Sequence, residues 1–336
     1  MTITVYTPSP PLDAYIKCFW YSNRSLPTQG LKILSTPSLH LMVNFSDAYQ
    51  VYAADQTQPF ATCAQSWSVG LWDRCHIMDP PPDLQILNIS FKPGGAYPFL
   101  PIPLVELHNQ IVSLDAIWGA FAAEIRERLY AEPTTAARFA LLEKLLVTRL
   151  RDAPPQPAAV QFAVAEIARQ HGALSIGALS DQLGLSQKHL STQFKQMVGS
   201  TPKTLARIYR FRHVLDIIDP TQPVDWTQIA HQARYYDQAH FNKDFEAFTG
   251  HSPGEYLRLR RQFSAQSPEF AQYPQYLITG VLILTILKVC FSHMVKNASG
   301  PDFKIQFIVR SVCNRTLGGI NEESHRLFLA SRLKEV

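Results

Sequence analysis

Two short sets of polar side chains have the types and spacing to do chemistry. Lys188, Ser191, Thr192 and Lys195 fall at helical spacing opposite the apolar Leu190, Phe194 and Met197. Gln238, Ala239, His240, Asn242 and Lys243 do the same opposite Phe241, Phe245 and Phe248. Such side chains near a helix start suit base edges: Gln and Asn bond adenine, Lys bonds guanine or a phosphate, and an alanine can touch a thymine methyl. A solvated helix face looks the same, so the elements beneath must decide. A third set, His40, Asp73, Cys75, His76, Asp79 and His108, has metal-ligand residue types. It lacks an H-x-H pair, and Cys75 and His76 on a strand would point to opposite faces, so neither a metal nor a cofactor is expected. P-loop and H-E-x-x-H spacings are absent, and no enzyme is expected.

The elements that carry the first two sets are helices in a repeat. Phe194, Gly199, Thr201 and Pro202 recur 51 residues later as Phe245, Gly250, Ser252 and Pro253. Upstream the offset is 50: Leu179 pairs with Ile229, Ser180 with Ala230 and Leu183 with Ala233. One extra residue in the second turn explains both offsets. Each copy has helix–turn–helix grammar. Ser175 caps a helix with Ile176, Leu179 and Leu183, Gly184-Leu185 turns, and Ser186 caps a second helix from Gln187 to Val198. Asp225 opens the matching helix, Arg234-Tyr235-Tyr236 turns, and Asp237 caps the helix Gln238 to Thr249. A long helix, about Pro202 to Ile218, joins the copies, with Lys203, Arg207, Arg210 and Arg212 on its polar side. A helical protein-interaction module is the alternative, and polar, basic outward faces speak against it.

The first third reads as strands. Tyr15 to Ser22, Leu39 to Phe45, Val69 to Trp72 and Leu84 to Phe91 are apolar runs between turn residues. Leu114 to Leu129 and Phe139 to Leu150 then switch to helical spacing. The aromatics Phe19, Trp20, Tyr21, Trp67 and Trp72 fill a core or line a pocket. The expected class is α+β: a strand-rich sensing or dimerisation domain over 1–152, a proline-rich linker over 153–157, and an all-helical domain over 158–263. A tail over 264–336 follows. Its apolar stretch, 276–295, fits a packed helix better than a marginal membrane span, and a reading-frame extension is a third option. With 46% hydrophobic and 17% charged residues the chain is neither disordered nor fibrous. Five cysteines without a C-x-x-C pair and no visible signal peptide point to the cytoplasm. Lys and Arg number 11 against 13 Asp and Glu over residues 1–154, but 12 against 9 over 155–262, so the repeat is the mildly basic part.

Residues 160–262 resemble the DNA-binding region of AraC/XylS-type transcription regulators. Ile229-Ala230, Arg234 to Phe241, Asp244-Phe245, Phe248, Gly250, Ser252-Pro253 and Tyr256 carry the likeness in order and spacing. One departure is Arg234-Tyr235, where the family usually has Gly-Phe. Residues 6–150 resemble the N-terminal domain of a subset of these regulators, through Tyr15 to Tyr21, Phe91 to Tyr97 and Leu141-Leu142-Glu143. The resemblance implies a regulator that places two helices in successive major-groove segments of double-stranded DNA, about 34 Å apart. On that reading Lys188, Thr192, Gln238 and Asn242 contact bases, with Ser191, Ala239, His240 and Lys243 on the same outward faces, while Lys195, Lys203, Arg207 and Arg210 take phosphates. It further implies RNA polymerase as a partner, an activator or a repressor role, a small-molecule effector with an unassigned site, and a homodimer. A cupin-type metal enzyme fused to a helical module is the rival reading.

Overall fold

Apolar runs rich in β-branched and aromatic residues build two antiparallel sheets at the N-terminus. The structure, a computed structural model, describes residues 3–23, 30–54, 56–150, 157–266 and 276–278. The strands are β1 (Ile3–Tyr6), β2 (Ile16–Asn23), β3 (Leu31–Ile33), β4 (His40–Asn44), β5 (Tyr49–Ala53), β6 (Pro59–Cys63), β7 (Ser66–Val69), β8 (His76–Asp79), β9 (Gln85–Phe91) and β10 (Ile111–Ser113). One sheet has the order β1-β2-β9-β4-β7-β10. Central β9 is buried on both faces: Leu87, Ile89 and Phe91 meet the N-terminal helices, while Ile86 packs with Tyr49, Val51 and Trp67 in the second core. Phe19, Tyr21, Trp67 and Trp72 are buried, so these aromatics are core.

The third expected strand is displaced. It ends at Val69, Leu71 and Trp72 lie in a loop, and Gly70 passes so close to Leu107 that a side chain there would collide with its carbonyl. The single helix expected from Leu114 to Leu129 is two, α1 (Leu114–Trp118) and α2 (Ala120–Ala131), separated by Gly119 at φ 57°. Next, α3 (Thr135–Leu150) packs Phe139, Leu142 and Leu146 against the first sheet.

The helical part comprises α4 (Ala158–Arg169), α5 (Ile176–Gln182), α6 (Gln187–Met197), α7 (Pro202–Ile217), α8 (Trp226–Gln232), α9 (Gln238–Thr249) and α10 (Pro253–Gln266). The chain is thus α+β, with a strand-rich region followed by helices. Most of the linker, residues 153–156, lies outside the described residues, as do residues 151 and 152. So does the apolar stretch of the tail apart from Tyr276–Ile278. Those three residues form a strand, β11, and not the start of a helix: they pair antiparallel with β3 at the edge of the second sheet, in the order β11-β3-β8-β5-β6. Among the described residues no helix is long and apolar enough to cross a membrane.

The helical core is not closed on itself, contrary to what its repeat suggests. Leu34, Leu71 and Cys75 of the strand-rich region belong to the same buried cluster as Phe194, Phe211 and Phe245. Beside them Lys32, only 3% exposed, donates from Nζ to the Thr249 carbonyl at 3.0 Å and lies 2.9 Å from His251 Nε2. His251 Nδ1 is in turn 3.2 Å from Glu255 Oε2. A cation suits this place because the last carbonyls of α9 carry partial negative charge. Gly250, at φ 70°, leaves room for it: a Cβ there would stand 3.2 Å from the ammonium.

Candidate nucleic-acid interface

Both second helices are set by the same local geometry. In the first unit the Gly184 N–H donates to Asp181 O and the Leu185 N–H to Ser180 O, with Gly184 at φ 65°. In the second, the Arg234 N–H donates to His231 O and the Tyr235 N–H to Ala230 O, with Arg234 at φ 55°. Every partner is offset by 50, so the arginine keeps the glycine turn and does not reshape it. Ser186 then caps α6 through His189 N, and Asp237 caps α9 through His240 N. Ser175 and Asp225 cap α5 and α8. Beneath α9 the ring of Trp226 stacks on Phe241 and meets Phe245 edge to face, Tyr235 meets Phe241 edge to face, and Phe241 and Phe245 are tilted at 54°.

With Leu190, Phe194 and Met197 inward, Lys188, Thr192 and Lys195 are exposed and Ser191 is half-buried. The Thr192 hydroxyl donates to the Lys188 carbonyl at 3.0 Å, leaving its lone pairs outward. With Phe241, Phe245 and Phe248 inward, Gln238, Ala239, His240 and Lys243 are exposed and Asn242 is half-buried. Gln238 Oε1 accepts from the Thr227 hydroxyl at 3.4 Å, which ties the start of α9 to the start of α8. His240 lies edge-on to Tyr235, 5.3 Å between centroids. Burial of Tyr235 raises its pKa.

Two of the expected phosphate contacts are committed inside the fold. Arg207 Nη2 donates to Asp244 Oδ1 at 2.7 Å, with Nε 3.1 and 3.3 Å from its two oxygens. The Asp244 side chain is 7% exposed, and this partner raises the Arg207 pKa. Arg210 Nη2 donates to the Gly172 carbonyl at 2.9 Å, and its guanidinium lies over the Tyr235 ring. Both arginines brace α7 against its neighbours, whereas Lys188, Lys195, Lys203 and Lys243 are exposed. Asp244 belongs to the motif that carried the resemblance, but nothing in the spacing pairs it with a residue 37 positions earlier.

The metal-type residues are held by other partners. Asp73 accepts from Asn109 at 2.8 Å and faces His108 Nε2 at 3.4 Å, which hold its carboxyl far below the usual range. Burial pulls His40 and His76 down to about 4. Among the described residues no three His, Cys, Asp or Glu gather as a metal site would need. A G-x-S-x-G spelling does occur, at Gly250 to Gly254. A nucleophile elbow follows a strand, whereas Ser252 stands between α9 and α10 and its hydroxyl accepts from Glu255 N at the start of α10.

A family model described as a helix-turn-helix domain matches residues 179–259, and one described as a domain of unknown function matches residues 4–113. Among solved structures the chain is similar to ToxT from Vibrio cholerae, 10% identical over 71% of this chain and 98% of that one, TM-score 0.40. It is similar to wild-type ToxT of Vibrio cholerae strain SCE256 with an unsaturated fatty acid bound, 12% identical over 71% and 94%, TM-score 0.38. It is also similar to the C-terminal domain of AraT, a response regulator from Geobacillus stearothermophilus, 22% identical over 31% and 88%, TM-score 0.29. No curated protein matches it in sequence. Residues 179–259 are thus matched as an AraC-type helix-turn-helix domain, and residues 4–113 as a domain of unknown function.

Proposed function

We propose that the chain is a sequence-specific DNA-binding transcription regulator that reads successive major-groove segments with α6 and α9. The duplicated turn carries the proposal: two units with matching hydrogen bonds and caps each present a polar helix start, Lys188 to Lys195 and Gln238 to Lys243. Base contacts are assigned to Lys188, Ser191, Thr192, Gln238, Ala239, His240, Asn242 and Lys243, and phosphate contacts to Lys195 and Lys203. Arg207 and Arg210 act at one remove, by fixing α7. The strand-rich domain is the seat of effector control and dimerisation, and its contact with the end of α9 through Lys32 supports a coupling of the two. By family resemblance the regulated partner is RNA polymerase and the compartment is the cytoplasm. Selection of genomic DNA fragments by the purified full-length chain tests this reading. An enriched motif, bound with an affinity that falls steeply as salt rises, is the expected result; binding without preference over competitor DNA would overturn it.

A further inference from the structure

A cleft of about 400 Å³ opens between the end of α4, α7 and the turn after α8, on side chains that the proposed reading faces do not use. Its polar walls are Arg169, Gln170 and His171 after α4, His213 on α7, and Gln232 and Arg234 after α8. No carboxylate lines it. The His171 and His213 rings stack with centroids 4.2 Å apart. Arg169 and the Gln170 amide both already donate to Glu166, which stands just behind the lining, whereas Arg234 is exposed and forms no ion pair among the described residues. The lining is thus rich in nitrogen donors and cations and poor in acceptors, which suits a multiply charged oxyanion.

The backbone points to the same place. His171 and Arg234 are non-glycine residues held at positive φ, 49° and 55°, and both line this cleft. Such a conformation costs about 1–2 kcal/mol that glycine would avoid, and the first unit does use glycine at the matching position, Gly184. Non-glycine residues kept at two left-handed positions of one cleft support a use for their side chains.

We propose that this cleft binds a small phosphorylated ligand, and that binding fixes the turn that aims α9. Arg234 and the two imidazoles would take the phosphate, with Arg169 and the Gln232 amide completing the shell. The volume exceeds a bare phosphate and leaves space for the sugar or base of a monoester. Ala233 and Tyr235, on either side of Arg234, are buried, and Tyr235 packs on Phe241 of α9, so a ligand that grips Arg234 grips the reading helix. This part rests on the proposed function, since it takes α9 to read DNA.

The test is calorimetric titration of the full chain, without DNA, using inorganic phosphate and adenosine 5′-monophosphate as probes. Saturable binding is expected, tighter for the monoester, and weakened at least tenfold in Arg234→Gln and in Arg234→Gly. The glycine variant relaxes the turn and guards against misfolding. Saturating probe should then change the affinity for the selected DNA in the parent chain and not in either variant. Absence of saturable binding, or binding that survives both variants, overturns the proposal. So does simple competition between probe and DNA, which would make the cleft a contact for the DNA backbone. Because the first arm contains no DNA, a chain that bound no DNA would fail the proposed function while leaving the titration interpretable.

Discussion

Arg207 and Asp244 illustrate why single residues resist reading from spacing. On a helix wheel Arg207 is an outward cation, yet its guanidinium closes on a carboxylate that is 7% exposed. Arg207→Ala should therefore cost about 3 kcal/mol of stability by stranding a buried charge, seen as a lower midpoint in urea. Gln238→Ala and Asn242→Ala should leave that midpoint alone and relax preference at one or two base pairs, by roughly 1–3 kcal/mol each, seen by competition among altered sites. The buried imidazoles give a pH dependence with a definite sign. His40 and His76 have folded pKa values near 4, below the ordinary 6.5, so the unfolded chain takes up protons that the folded one refuses. Stability should be full above about pH 6.5 and fall as pH drops toward 4. The loss at pH 5 is on the order of 2 kcal/mol per ring. Denaturation at pH 7 and pH 5 measures it, and His76→Gln should flatten part of the slope.

Helices were legible where caps and periodicity agreed. Gln238 to Thr249 is bounded in the structure as the residues imply, because Asp237 and Gly250 punctuate both ends. Strands were less so: β2, β4 and β9 fall within the apolar runs Tyr15 to Ser22, Leu39 to Phe45 and Leu84 to Phe91, while β3, β5, β6, β8 and β10, three to five residues each, carry no signal without their partners. Gly119 split a helix whose apolar spacing continues across it. Arg234 is the informative exception, a residue that breaks the local rule while the turn survives. Arg234→Gly should raise the stability of the helical part by about 1 kcal/mol, since it removes left-handed strain at a modest entropic cost. Thermal unfolding at matched pH and salt would show a higher midpoint, and an unchanged or lower one would mean the guanidinium contributes more than its backbone costs.

At the scale of the molecule, the contact between the regions was invisible in the sequence. Lys32 lies 217 residues from Thr249, and no period or motif connects them. The contact is specific enough to break: Lys32→Glu would set a buried carboxylate against the negative end of α9. A loss of about 3 kcal/mol or more is expected, read as a drop in thermal midpoint. A milder effect would show that the two regions separate readily and let water reach the site.

β11 makes the connectivity circular in effect. The chain leaves the strand-rich region at α3, builds the helices, and comes back as an edge strand beside β3. The covalent link between α3 and α4 is then one of two ties. If a protease site is inserted among residues 153–156 and cut, the fragments should stay together through gel filtration, held by β11 on β3, by Lys32 and by the shared apolar cluster. Shortening the chain to residue 267 before the cut removes the strand and should let the fragments part at lower urea. Cleavage there would be a silent event for the intact protein and a disabling one for the shortened form.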